Sequence, residues 1–138
     1  MVSTHPYLAL DLGGSNTRLG LFTSLDSPQF MPLGNFPTPA LYADMLELLY
    51  AALKEHNLGQ LAGAGVSVAA RVAKDGRSIV FGPNLLDYLH RPFAADLEER
   101  LGCPVRLGHD TVCGLLAEKR FGVLREIERC GYLTVSTG

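Results

Sequence analysis

The chain has 138 residues, 47% of them hydrophobic, and a formal charge of −2 at pH 7. That length means one domain or part of a larger protein, with enough apolar residues for a sizeable core. The near-balance of charge leaves no electrostatic footprint for nucleic acid, no window approaches the ~20 apolar residues of a membrane span, and the opening residues lack a signal-peptide layout.

In chain order, Tyr7 to Leu12 reads as a buried strand and Thr17 to Thr23, which alternates, as a second. Phe30 to Pro37 is a third, and Pro32 places it at a sheet edge. Short turns would join the three into a meander. The period then changes: Leu41, Met45, Leu48, Leu49, Ala52 and Leu53 recur at helical spacing. Thr38 is the expected N-cap, Pro39 the first-turn proline, and Asn57 with Gly59 the stop. Ala64 to Ala70 is small and apolar, which predicts a central strand, and Ser78 to Phe81 is a strand after the turn at Lys74 to Arg77. Gly82 to His90 reads as loop. Pro92 opens a helix through Leu101, with Phe93, Leu97 and Leu101 on one face and Gly102 as its stop. Val105 to Leu107 is a strand, Thr111 to Phe121 a helix, and Tyr132 to Val135 the start of a last strand. The order predicts a mixed α/β sheet with an antiparallel meander at one side. Cys103, Cys113 and Cys130 are odd in number and show no CxxC spacing, which argues against a disulfide framework or structural zinc within this chain. They read as buried, inert thiols of a reduced, cytoplasmic protein.

The stretch Asp11 to Phe22 carries the chemistry. A Walker loop needs a lysine and a following helix, and a dinucleotide fingerprint needs GxGxxG opening a helix; neither is present. What remains is strand, Gly13-Gly14 turn, strand, with Asp11 near the end of the first strand. Glycine lets a backbone approach a phosphate closely. Ser15, Asn16 and Thr17 add N–H and hydroxyl donors, and Asp11 would hold a metal that neutralises phosphate charge, directly or through water. The alternative is an ordinary hairpin with a glycine turn.

Further motifs follow in order: Gly82-Pro83-Asn84-Leu85, Arg91-Pro92-Phe93 through Leu101-Gly102-Cys103-Pro104-Val105, His109-Asp110, and Gly114-Leu115-Leu116-Ala117-Glu118 with Arg120-Phe121-Gly122. Together with Asp11 to Gly20, this series resembles the ROK family of repressors and sugar kinases, from about Tyr7 to Gly138. The resemblance implies an actin-like ATPase (ribonuclease H-like) fold, in which two domains face each other across a cleft where ATP-Mg²⁺ and a sugar meet. It implies an N-terminal domain over residues 1–122 and a second domain begun at 123–138 and cut short there. Asp11, Gly13, Gly14 and Thr17 match the first phosphate motif, and Thr137 and Gly138 match the start of the second. Asp110 matches the catalytic aspartate, and it falls between a strand and a helix, where a carboxylate can accept the proton of an attacking hydroxyl. The alternative for Asp110 is a helix N-cap. Asn84 matches an asparagine near the sugar, with a loop-closing hydrogen bond as its alternative. Arg71 matches an arginine close to the sugar in some members, with a solvated surface position as its alternative.

The sequence departs from the family pattern at Gly108-His109-Asp110-Thr111-Val112, where the family has Glu-Asn-Asp and a polar run. His109 stands where an asparagine binds a sugar hydroxyl, and an imidazole donates or accepts according to its tautomer. Ala69-Ala70 replaces two glycines. The family's zinc-binding His/Cys cluster and most adenine contacts would lie beyond Gly138. The expected parent activity is phosphorylation of a hexose, glucose or a related sugar, by ATP, with the chain alone inactive. The other expectation is a non-catalytic sugar sensor or regulator, for which the motif's start almost at Met1 leaves no room for a DNA-binding domain. An apolar strip around Tyr132 to Val135 would pair with another chain, giving a homo-oligomer.

Overall fold

A computed structural model describes residues 5–135. β1 (Tyr7–Leu12), β2 (Asn16–Phe22) and β3 (Met31–Pro37) form the antiparallel meander. α1 (Tyr42–Glu55) leads to β4 (Gly63–Val68), and β5 (Arg71–Val72) and β6 (Ile79–Phe81) make a separate two-stranded ribbon. α2 (Phe93–Leu101), β7 (Val105–His109) and α3 (Asp110–Phe121) follow. The five-stranded sheet runs β3-β2-β1-β4-β7, with β1, β4 and β7 parallel. β3 lies at the edge, as its prolines require.

Alternation along each strand sorts the side chains onto two faces. Leu8, Leu10, Leu12, Leu19, Leu21, Val66, Val68, Val105 and Leu107 are buried. Leu49 and Leu53 of α1 and Leu97 and Leu101 of α2 meet Leu8, Leu10, Leu19 and Val66 around one small gap, so both helices cover this face. Beside them, Tyr42, Tyr88 and Phe93 pack edge to face, with ring centroids 5.5 to 6.2 Å apart. The buried Tyr88 hydroxyl donates to the Pro39 carbonyl at 2.6 Å, and burial pushes its pKa up to about 12. The Tyr42 hydroxyl donates to Asp96 at 2.5 Å, and burial followed by that bond raises its pKa further.

Four expectations need correction. The first helix starts at Tyr42, with Leu41 at its N-cap position and no side-chain cap from Thr38. Its orphan N–H at Tyr42 is met by Asp87, 45 residues away, at 2.9 Å. Thr38 is committed instead to the β1–β2 turn, where it bonds the Gly13 and Ser15 carbonyls. The stretch Gly82 to His90 contains a 3-10 turn at Leu86–Tyr88, which carries Tyr88 into the core. Tyr132 to Val135 forms no strand: its backbone pairs with neither edge of the sheet, and a segment without a paired neighbour leaves the ladder bonds of a strand unmade. Leu133 and Val135 are each 88% exposed, and the Tyr132 ring lies where a Cβ on Gly114 of α3 would reach, 3.0 Å from its Cζ. Of the three thiols only Cys103 is buried; Cys113 and Cys130 are half-buried, because α3 and the segment after it rest against little protein.

The helix stop is as expected, with His56 as C-cap and Asn57 in the left-handed region at φ 46°. The central strand ends at Val68, two residues short of the expected Ala70, and β7 runs two residues past Leu107 to His109.

Candidate functional site

Parallel strands bring their C-terminal ends to one edge. Leu12 pairs with Val68 and Val68 with His109, so the residues that follow these three positions leave the sheet side by side. With neighbouring strands ~4.8 Å apart, the ends of β1 and β7 are roughly 10 Å from each other. Ligands of open α/β sheets collect at such an edge.

The β1–β2 connection is tight, with the Gly13 N–H donating to the Asn16 carbonyl at 3.0 Å. Its glycines are there for close approach, since neither adopts a positive φ. A Cβ on Gly13 would sit 2.8 Å from the Asn16 carbonyl oxygen, and one on Gly14 would sit 2.8 Å from the Asn84 Cβ and 3.1 Å from its amide nitrogen. The structure therefore brings Asn84, 70 positions along the chain, onto the turn. The N–H groups of Gly14 and Ser15 meet no acceptor among the described residues. Two adjacent unpaired donors on an exposed turn are what an anion requires.

Among the described residues Thr17 is the one buried residue that is neither apolar nor aromatic, and its hydroxyl bonds that of Thr38 at 2.9 Å, beneath the turn. Ser15 and Asn16 are exposed. Asp11 is exposed on the uncovered face of the sheet, opposite Arg18 on β2 and beside Ser67 on β4. There it borders a shallow cavity of about 570 Å³ floored by Ala9, Gly20, Gly65 and Gly108. Among the described residues no three His, Cys, Asp or Glu side chains cluster as a metal cage. A lone exposed carboxylate still suits magnesium, which keeps most of its waters and takes one or two carboxylates beside substrate phosphate.

Asp110 opens α3 and His109 is the N-cap, so the capping role left open for Asp110 goes to its neighbour. The Thr111 N–H lies 3.3 Å from His109 Nδ1 and donates to Asp110 Oδ1 at 2.8 Å. His109 Nδ1 is also 2.7 Å from the Thr111 hydroxyl and 3.0 Å from Asp110 Oδ1. Asp110 is half exposed, and its second oxygen has no partner among the described residues. Cys113, one turn along α3, hydrogen-bonds Ser67, and burial pushes its thiol up.

Arg71 is exposed at the start of the β5–β6 ribbon and lies over the Phe81 ring at 5.7 Å. Phe81 is itself exposed and precedes the Gly82 to Leu85 loop. That loop is tied in by Gly82, where a Cβ would meet the Ala70 Cβ at 2.8 Å. Thr137 and Gly138 lie outside the described residues. The structure thus brings together the Gly13–Gly14 turn, Asn84 and the Ala69–Arg71 segment, with His109 and Asp110 on the same sheet edge. The residue that sequence reasoning missed is Thr38. No local signal marks it, because its partners are fixed by the β2–β3 register, which pairs Asn16 with Pro37.

Residues 7–138 match the ROK family. A glucokinase from Streptomyces coelicolor is 22% identical over 132 residues, 95% of this chain and 41% of its own length. The crystal structure of a ROK family glucokinase from Streptomyces griseus, in complex with glucose and AMPPNP, superposes with a TM-score of 0.74 at 23% identity, over 86% of this chain and 37% of that one. A putative N-acetylmannosamine kinase from Listeria monocytogenes gives 0.74 at 23% identity, over 88% and 40%. The chain therefore spans about two-fifths of the length of these relatives, and its architecture is the one that the ROK sugar kinases share, the actin-like ATPase fold.

Proposed function

This chain belongs to the ROK family, and from that premise we propose that it supplies the phosphate turn and the catalytic base of an ATP-dependent hexose kinase. One observation carries the reading: an exposed glycine turn with unpaired N–H groups and a free carboxylate oxygen on Asp110 share the C-terminal edge of three parallel strands.

In this reading Gly14, Ser15 and Asn16 face the transferred phosphate with their backbone donors, while Gly13, whose N–H is held by the Asn16 carbonyl, lets the phosphate approach the turn closely. Thr17 holds the turn from below, since its hydroxyl is buried and bonded to Thr38. Asp110 accepts the proton of the attacking sugar hydroxyl through its free oxygen, while the Thr111 N–H fixes the other. Asp11 is the residue that fits Mg²⁺, which when bound would neutralise phosphate charge. Asn84 and His109 border the sugar, and Arg71 is a sugar contact at the rim. Thr137 and Gly138 would begin a second phosphate turn. Residues 1–122 form the first domain and 123–138 lead into the next. The free thiols fit a cytoplasmic setting, and the exposed Leu133 and Val135 fit association between copies.

ADP release from ATP-Mg²⁺ tests the proposal, measured on a polypeptide that contains this chain and the remaining length of the kinases. The panel holds glucose, other hexoses and N-acetylmannosamine. The expected result is turnover with one sugar, lowered at least ~10³-fold by Asp110→Asn. A folded protein that binds a sugar but releases no ADP from any mixture would replace the kinase by a sugar sensor.

A further inference from the structure

The β1–β2 turn is gripped by a residue well outside it. Thr38, in the connection between β3 and α1, reaches the turn three times. Its hydroxyl donates to the Gly13 carbonyl at 2.8 Å, and its backbone N–H donates to the Ser15 carbonyl at 2.9 Å. With that proton committed to Gly13, Thr38 Oγ1 accepts from the buried Thr17 hydroxyl at 2.9 Å. The Asn16 carbonyl is taken by the Gly13 N–H. Three carbonyls of the turn are thus engaged inside the protein.

A trans peptide points its C=O and the next residue's N–H in opposite directions. No peptide bond here is cis. Drawing the Gly13 carbonyl toward Thr38 therefore turns the Gly14 N–H away from it. The Ser15 carbonyl does the same for the Asn16 N–H. Without the Thr38 hydroxyl the 13–14 peptide plane is free to rotate, since Gly13 carries no side chain to resist it.

We propose that Thr38 is the positioning residue of the Gly13–Asn16 turn, orienting its peptide planes so that backbone donors face outward to the phosphate of a nucleotide. That the anion is a nucleotide phosphate rests on the reading above; the orientation of the turn does not. Thr38 touches no substrate and acts through the turn alone.

Three measurements on the 138-residue chain test it. In the unmutated protein the Thr38 hydroxyl proton should exchange slowly and show through-bond coupling to the Gly13 carbonyl in NMR. Thr38→Val keeps the shape and removes the donor. It should speed exchange of the Gly13 amide about tenfold, the scale of one lost hydrogen bond, and leave the Leu10 and Val66 amides unchanged. Thr38→Ser should restore the unmutated rate. ATP-Mg²⁺ titrated onto the chain should bind roughly tenfold more weakly to Thr38→Val than to Thr38→Ser.

Equal Gly13 exchange in the Val and Ser variants overturns the proposal. So does a Thr38 hydroxyl proton that exchanges as freely as one in solvent, a result that needs no variant to fold. If exchange responds as expected but the unmutated chain ignores ATP-Mg²⁺, the kinase reading loses its nucleotide while Thr38 keeps its hold on the turn.

Discussion

The two faces of the five-stranded sheet are built from different residues. On one, Leu8, Leu10, Leu12, Val66, Val68, Val105 and Leu107 lie under α1 and α2. On the other, the same strands present Ala9, Gly65, Ser67 and Gly108, with the charged Asp11 and Arg18 among them. This side is covered loosely, by Cys113 near the start of α3, by Arg120 and Phe121 at its end, and by the Phe30 ring over Gly20. The difference teaches where stability and chemistry live. The covered face holds the strands in register by burying large side chains. The open face is shallow and places a carboxylate in reach of solvent, and the strand ends between the two faces carry the candidate site.

The comparison breaks most easily at Phe93. It is fully buried in the aromatic cluster on the covered face, and Phe93→Ala should lower unfolding free energy by about 3–5 kcal/mol in urea denaturation. A loss under ~1 kcal/mol would mean that the cluster does not secure α2.

On the open face, Gly108→Ala should cost about 1–3 kcal/mol, because its Cβ would stand 2.8 Å from the Cys113 sulfur. Adding Cys113→Ala should recover most of that loss, and a double variant no more stable than Gly108→Ala would rule out this contact as the cause.

A pH dependence belongs to the edge of the covered face. Arg77 hydrogen-bonds Glu98 at 2.9 and 2.5 Å, and with the Val105 N–H it holds the Glu98 carboxyl at about 2, below its ordinary 4.5. A depressed carboxyl contributes stability that is whole above pH 4.5 and fades as pH falls toward 2. The melting-temperature gap between the unmutated chain and Glu98→Gln should narrow across that window, and a gap constant with pH would contradict the pairing.

The smallest effect should come from Gly65→Ala. A Cβ there meets nothing within 4 Å, so stability should hold or rise by up to ~1 kcal/mol. A marked loss would reveal that the open face is filled by something in solution.

Much of the fold was legible because the signals were local. The meander, the helical period from Leu41 to Leu53, the Gly102 stop and the strand after it all follow from alternation, period and punctuation within a few residues. The capping roles open to Thr38 and Asp110 went unfilled for a shared reason. Each residue type is a good cap, but what a hydroxyl or carboxylate bonds depends on which donors the register brings near. Tyr132 to Val135 has strand composition but pairs with no strand, and composition does not supply a partner.

The sequence by itself determined the order of elements, the split of each strand into large and small faces, and the motif set that marks the ROK family. These are properties of neighbours in the chain, set by sterics and by apolar period. Tertiary structure alone decided that Asn84 rests on Gly14, that Asp87 caps the first helix, that His109 rather than Asp110 caps the third, and that Thr38 holds the glycine turn. Those contacts join residues up to 70 positions apart, and a hydrogen bond forms only between groups that the packed sheet has already brought within about 3 Å.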